Sequence, residues 1–229
     1  MRIPFLYNIS GREKNQTIEK LISRSVPSRG FFVMITLSAL MATLGVLLDS
    51  VAVLIGSMLI APILYPILSC SMGIVMLDMK LFGQSIFTII KAVVLSVIAA
   101  IILTLLFPNH GVNPLGVIAF MQPSWLYAAI ALVAGFAASF ALSREELNET
   151  LPGVTVSVAL IPPLAVIGVA IARLEWELAL DATNLFVISV AGILLSSSIV
   201  FLFMNFFAKK NVAKKVLKEE IENIEDGKK

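Results

Sequence analysis

The sequence has few of the residues on which soluble proteins, disulfides and metal sites depend. Charged residues make up 14% of the 229 positions, against about 25% in a soluble domain, and hydrophobic residues make up 59%. The single cysteine, Cys70, excludes an internal disulfide, and the single histidine, His110, leaves no histidine pair for a metal. No P-loop, dinucleotide fingerprint or zinc motif occurs. We therefore expect no metal, no cofactor and no enzymatic activity.

Most of the charge lies at the two ends of the chain. Residues 1–30 carry six Lys or Arg side chains, a second basic cluster begins at Lys209, and charges are sparse in between. Apolar residues recur at helical spacing in both ends, which predicts short amphipathic helices at the membrane surface. The net charge of +2 therefore describes two basic ends and does not indicate a nucleic-acid-binding face.

Six stretches are apolar enough to cross a bilayer, which takes about 20 residues in a helix. They are residues 31–48, 51–76, 86–107, 125–142, 151–172 and 185–207. The second contains Pro62 and Pro66, so a re-entrant hairpin is the alternative to a full span there. A short acidic loop is expected over residues 173–184. The sequence thus predicts an all-α, polytopic transmembrane protein of about six spans.

The distribution of Lys and Arg predicts the orientation of these spans. The segments expected inside hold the two basic ends, Lys80 and Arg144, whereas those expected outside hold Arg173 alone. By the positive-inside rule, both termini are cytoplasmic in a multi-pass protein of the plasma membrane. The predicted order is a cytoplasmic amphipathic segment (1–30), a three-span repeat (31–107), an external loop (108–123), a second three-span repeat (124–207) and a cytoplasmic charged helix (208–229).

The middle spans of the two repeats share a motif. The letters LIAPI at positions 59–63 reappear as LIPPL at positions 160–164. Three spans per repeat is an odd number, so the second repeat must be inverted relative to the first, as in many secondary transporters. Each proline removes an N–H and frees a carbonyl that lipid cannot satisfy. The motif therefore predicts two Pro-broken middle helices that meet around a polar site.

The predicted substrate-binding site combines small residues, hydroxyls and freed carbonyls. Its members are Ser57, Pro62, Tyr65 and Pro66 in the second span, Ser157, Pro162 and Pro163 in the fifth, and Asp49 at the outer mouth. The hydroxyl of Tyr65 could gate or orient a substrate. Two structural alternatives remain open: the prolines only kink the helices for packing, and Asp49 only caps a helix at the outer interface.

The motifs also resemble those of a known family. The letters GSMLIAPILYPI at 56–67 are similar to the signature of domain-of-unknown-function family 389, as are LPGV at 151–154, ALIPPL at 159–164 and NLF at 184–186. The resemblance covers roughly residues 31–207. It implies a polytopic membrane protein of a bacterium or archaeon and implies no activity.

Two functions from different classes fit these features. The favoured one is a transporter or channel that passes a small solute or ion between the two Pro-interrupted helices. The alternative is a non-transporting membrane assembly or scaffold module, because Ala131, Gly135 and Ser139 recur every four positions and form a close-packing face. That face would pack against another span or against another subunit of a homo-oligomer. The expected partners are the lipid bilayer and the small solute or ion.

Overall fold

The structure is a computed structural model that describes residues 10–108, 125–144, 147 and 160–226. All regular elements in those residues are helical. The α-helices are α1 (Gly11–Ser25), α2 (Arg29–Leu47), α3 (Val51–Ile60), α4 (Leu64–Met76), α5 (Met79–Leu106), α6 (Trp125–Leu142), α7 (Ile161–Arg173), α8 (Trp176–Phe203) and α9 (Lys210–Glu225). A short 3-10 helix, Phe206–Lys209, precedes α9.

Four of these helices, α2, α5, α6 and α8, are long and apolar enough to cross a membrane. Helices α3 and α4 together make a fifth candidate, bent by 53° at the break between them, and α7 is apolar but has only 13 residues. The prediction of a polytopic all-helical protein is confirmed. The described residues contain up to five candidate spans rather than six, because most of the first half of the predicted fifth span lies outside them.

Helices α5 and α8 begin earlier than the hydropathy pattern predicts. Helix α5 begins at Met79 and α8 at Trp176, and each has 28 residues. The acidic loop predicted over residues 173–184 is therefore wrong from Trp176 onward, where the chain is helical. A 28-residue helix is about 42 Å long, which exceeds the roughly 30 Å hydrocarbon core. Charged residues such as Glu177 and Asp181 can thus lie in helical turns beyond the lipid tails.

Two parts of the chain repeat the same succession of elements. In each, a 13-residue helix (α4 or α7) ends at a left-handed leucine, an acidic residue follows, and a 28-residue helix (α5 or α8) begins. The leucines are Leu77, with φ of 50°, and Leu174, with φ of 63°. A leucine seldom adopts this conformation because it costs roughly 1–2 kcal/mol. Its occurrence at both positions marks the two hairpins as counterparts.

The spacing of the two hairpins sets the register of the repeat. Helices α4 and α7 begin at Leu64 and Ile161, a separation of 97 positions, and the other helix ends keep this separation. The shared motif at 59–63 and 160–164 is instead 101 positions apart, one helical turn out of step. The helix ends therefore align Pro66, and not Pro62, with Pro163.

The two hairpins also contact each other reciprocally. Helix α4 packs against α8, and α7 packs against α5. In the first contact, Ser71 Oγ donates a hydrogen bond to the carbonyl of Leu194 at 3.4 Å. In the second, a Cβ placed on Gly168 would lie 2.9 Å from the carbonyl of Val97. Positions 71 and 168 are counterparts at the 97-residue separation, and so are 97 and 194.

The end helices α1 and α9 pack together at one end of the bundle. Thr17 Oγ1 in α1 donates to the carbonyl of Leu142 at the end of α6, at 3.4 Å. Lys210 Nζ in α9 donates to the carbonyl of Leu77 at 2.7 Å. The predicted amphipathic end helices are thus confirmed as helices. The apolar side chains of α1, including the fully buried Ile18, pack against protein and not only against a membrane surface.

Candidate functional site

The break between α3 and α4 leaves backbone carbonyls without partners. Helix α3 stops because Ala61 is extended, with ψ of 120°, and Pro62 has no N–H to donate. In a continuous helix the carbonyls of residues 58–61 would accept from residues 62–65. The N–H of Tyr65 instead donates to the carbonyl of Pro62 at 3.3 Å. Within the described residues, the carbonyls of 58–61 accept no hydrogen bond.

Ser57, one turn before this break, connects α3 to α2. Its hydroxyl donates to the carbonyl of Leu54 at 2.6 Å, and its own carbonyl accepts from Ser38 Oγ at 2.7 Å. The side chain is fully buried. Backbone and interhelical hydrogen bonds of this kind are the common role of serine in membrane helices. The hydroxyl of Ser57 is therefore already engaged within the protein.

Tyr65 and Pro66 lie in the first turn of α4. The hydroxyl of Tyr65 accepts a hydrogen bond from Arg24 Nη1 at 2.5 Å, and the guanidinium carbon lies 5.0 Å from the ring centroid. This contact joins the start of α4 to the end of α1, so the tyrosine side chain is directed toward the basic N-terminal helix. Pro66 is buried. A proline in a first turn costs no intrahelical hydrogen bond, so α4 continues past it.

The pair Pro162–Pro163 begins a helix in the described part of the chain. Both prolines lie in the first turn of α7, where they remove N–H groups that have no intrahelical acceptor. Helix α7 is buried along most of its length and packs against α2, α3, α5 and α8. The start of α7 thus belongs to the centre of the bundle. Ser157, the other predicted site residue of this span, lies outside the described residues.

The structure packs α3, which ends at the break before Pro62, against α7, which begins with Pro162 and Pro163 in its first turn. It also contains two buried hydroxyls without a hydrogen-bond partner among the described residues, Ser69 Oγ in α4 and Ser96 Oγ in α5. Both serines lie within predicted spans, at residues 51–76 and 86–107, and neither has a signal in the sequence that sets it apart from the other serines there. A serine in an apolar helix usually bonds to its own backbone, and only the structure reveals one that does not.

Asp49 lies in the turn between α2 and α3. Its φ is 51°, its side chain is exposed, and its N–H donates to the carbonyl of Val46 at 3.2 Å. Aspartate is among the few residues that adopt this left-handed conformation readily. The turn is about 28 Å along α2 from Arg29. Asp49 therefore lies at the far end of α2 from the basic segment, as an outer position requires.

Two polar cavities lie elsewhere, at the end of the bundle that carries α1 and α9. One, of about 530 Å³, lies among α1, α9 and the end of α6. The other, of about 480 Å³, lies between the α4–α5 turn and α9. Neither is lined by a residue of the predicted substrate site.

Comparison with known proteins identifies the family. The profile described as Domain of unknown function (DUF389) matches residues 58–195, which include the α3–α4 break, α7 and most of α8. The chain belongs to the DUF389 family. The chain is also similar to an uncharacterized protein of the archaeon Methanocaldococcus jannaschii, 33% identical over 196 residues. The aligned region covers 86% of this chain and 57% of that relative. No solved structure matches the chain.

Membership in the DUF389 family confirms the resemblance read from the sequence motifs. Neither the description of the family nor the name of the relative assigns an activity. The function must therefore be argued from the geometry of the helices.

Proposed function

We propose that this DUF389 protein passes a small cation, or a small solute rich in hydrogen-bond donors, between two inverted halves of its helical bundle. The observation that carries the proposal is the row of free carbonyls at residues 58–61. An unpaired carbonyl costs several kcal/mol in lipid, so such groups persist only where protein or water lines them. A ligand that passes the break would find these acceptors already unpaired.

The balance of donors and acceptors favours a cation or a donor. The α3–α4 break provides four free carbonyls, while Pro162 and Pro163 remove two N–H donors from the start of α7. Ser69, in the second turn of α4 after the break, adds a hydroxyl oxygen that can also accept. An anion would need hydrogen-bond donors, and this region has few of them. Carbonyl and hydroxyl oxygens instead suit a partly dehydrated cation.

The inverted arrangement is supported by the positions of helix ends. Because Lys210 bonds to the carbonyl of Leu77, the start of α5 and the end of α8 lie at the same end of the bundle. Helices α5 and α8 are counterparts in the repeat, so the two halves run in opposite directions. The reciprocal contacts of Ser71 with Leu194 and of Gly168 with Val97 are those expected of a two-fold relation.

We further propose six crossings in the plasma membrane with both termini in the cytoplasm. The end of the bundle with α1 and α9 contains Lys14, Lys80 and Lys210, whereas the opposite turn at residues 173–175 holds a single basic residue, Arg173. The positive-inside rule assigns the basic end to the cytoplasm. The sequence predicts the fifth span over residues 151–172, of which the structure describes residues 160–172.

The test is to restore the missing donor in the break. Pro62→Ala supplies an N–H for the carbonyl of Met58 and allows α3 to continue into α4. We expect wild-type protein in liposomes to admit Na⁺, K⁺ or H⁺, as measured with ion-sensitive dyes. Pro62→Ala should lower this flux about tenfold or more, because the cation loses at least about 1.4 kcal/mol of stabilisation. Pro108→Ala, an exposed proline after the end of α5, is the matched control and should retain the flux. No flux of any ion through wild-type protein, or full flux through Pro62→Ala, would refute the proposal.

The packing face that favoured an assembly module is used within the chain. A Cβ on Gly135 would lie 2.7 Å from Ile193 Cα in α8, and Ser197 Oγ donates to the carbonyl of Gly135 at 3.1 Å. A Cβ on Gly192 would in turn lie 2.7 Å from the Cβ of Ala131. The small residues of α6 therefore accommodate α8. No separate feature of the described residues favours the assembly module as a second function.

A further inference from the structure

A basic cavity lies beside the turn that joins α4 to α5. Its volume is about 480 Å³, and its charged lining residues are Lys80, Lys210, Lys214, Lys218 and Asp78. The three lysines of α9 recur every four positions and so share one face of that helix. Four positive charges and one negative charge give the lining a formal charge of +3.

The positive charge of this cavity is largely uncompensated. Lys80 and Lys214 form no ion pair with a described residue, and Lys218 has only an exposed pair with Glu222 at 3.6 Å. Exposed pairs of this kind contribute about 0–1 kcal/mol. Lys210 donates to the carbonyl of Leu77 at 2.7 Å. The ammonium groups of Lys80 and Lys214 are therefore available to an anion.

Asp78 is occupied as a helix cap, and its single negative charge leaves the lining net positive. Its Oδ1 accepts from the N–H groups of Lys80 and Leu81 at 3.1 and 3.2 Å. Its Oδ2 is buried and has no partner among the described residues, although the side chain lines the cavity. A ligand that pairs an anionic group with a hydroxyl would satisfy both parts of this lining, the lysines with its charge and Asp78 Oδ2 with its O–H.

Two apolar side chains border the same cavity. Leu77 is 68% exposed and Met79 is 81% exposed, and both belong to the cavity wall. Lysine side chains next to exposed apolar groups suit the boundary between headgroups and acyl chains. We propose that this cavity binds the phosphate of an anionic phospholipid with a hydroxylated headgroup, whose acyl chains run past Leu77 and Met79. The shared chemistry is phosphate recognition by lysine, and the apolar border selects the lipid over the free anion.

The test uses full-length protein in detergent and phosphatidylglycerol as the probe, with bound lipid counted by native mass spectrometry. The variant is Lys80→Gln with Lys214→Gln. The matched control is Lys91→Gln with Lys215→Gln, which removes one lysine from each of the same two helices but none from the cavity. Each lysine near a lipid surface contributes about fivefold in affinity, so we expect the variant to bind phosphatidylglycerol on the order of tenfold or more weakly than the control.

Three further arms complete the test. Neutral phosphatidylcholine should bind no better to wild type than to the variant, and millimolar inorganic phosphate should not displace phosphatidylglycerol. Equal phosphatidylglycerol binding by variant and control would overturn the proposal, and displacement by inorganic phosphate would overturn the lipid as the source. If circular dichroism shows that the double variant is unfolded, two neighbouring single changes replace the pair. Lys214→Gln is then the variant and Lys215→Gln its control.

Discussion

Gly168 and Gly83 are both helical glycines, but only the first lies in a tight contact between helices. A Cβ on Gly168 would overlap the Cβ of Ala100 and lie 2.9 Å from the carbonyl of Val97, whereas a Cβ on Gly83 would meet no atom within 4 Å. We predict that Gly168→Ala destabilises the protein by about 1–3 kcal/mol, because backbone atoms of α5 must move. Gly83→Ala should be neutral or stabilising by about 0.5–1 kcal/mol.

Denaturant unfolding of both variants in the same detergent measures this difference. The pair is matched because each change adds one methyl group to a helical glycine. Equal stability of the two variants would show that α7 and α5 are not in the close contact that the reciprocal packing requires.

Single side chains also mark the limit of sequence reasoning. Pro62 was predictable as a break because proline lacks an N–H wherever it occurs. The unpaired hydroxyl of Ser96 and the left-handed Leu77 were not, because serine usually finds a backbone partner and leucine is not a turn residue. Both depend on the packing of neighbouring helices, which a single sequence does not report.

At the scale of elements, hydropathy located the five candidate spans of the described residues but not all of their ends. The bounds of the broken second span, residues 51 and 76, agree with α3 and α4, because charged or turn residues flank it closely. Helices α5 and α8 were predicted seven and nine residues too short at their starts. Hydropathy falls where a helix leaves the lipid, whereas the helix itself ends only where its hydrogen bonds stop.

Helix α1 depends on a capping box at its first turn. Ser10 Oγ accepts from the N–H of Glu13 at 3.2 Å, and a Glu13 carboxylate oxygen accepts from the N–H of Ser10 at 2.7 Å. The backbone hydrogen bond from Ser10 lowers the pKa of Glu13. A carboxyl group with a lowered pKa in the folded state stabilises the fold above its ordinary pKa and loses that contribution as pH falls through the lowered value.

We predict that Ser10→Ala speeds hydrogen exchange of the α1 amides by about fivefold, which corresponds to a loss of about 1 kcal/mol. Acidification below the ordinary pKa of a glutamate should loosen α1 in wild-type protein and have a smaller effect in Glu13→Gln. Exchange measured by mass spectrometry from pH 7 to pH 3, corrected for intrinsic rates, reports both effects. Unchanged protection of α1 in Ser10→Ala would show that the cap does not hold this helix.

At the scale of the molecule, the account depends on two halves that run in opposite directions. The repeated motif predicted a relation between them, and the structure adds its register, because the α4–α5 and α7–α8 hairpins match at 97 positions. The separation of the two sequence motifs differs from the separation of the helix ends by one helical turn. The motifs alone could not give the register, because proline is tolerated at more than one position around a helix start. The register matters because it pairs specific residues that the proposed inverted arrangement assigns to opposite sides of the membrane.

The most direct test of this central claim is the accessibility of two counterpart positions, Lys80 and Glu177. Both are exposed and lie in the first turn of their 28-residue helices. Each is changed to cysteine in a Cys70→Ser background and treated with a membrane-impermeant maleimide. The account predicts that Glu177→Cys reacts in intact cells and that Lys80→Cys reacts only after permeabilisation. Reaction of both cysteines from the same side would contradict the inverted arrangement and the passage proposed between the two halves.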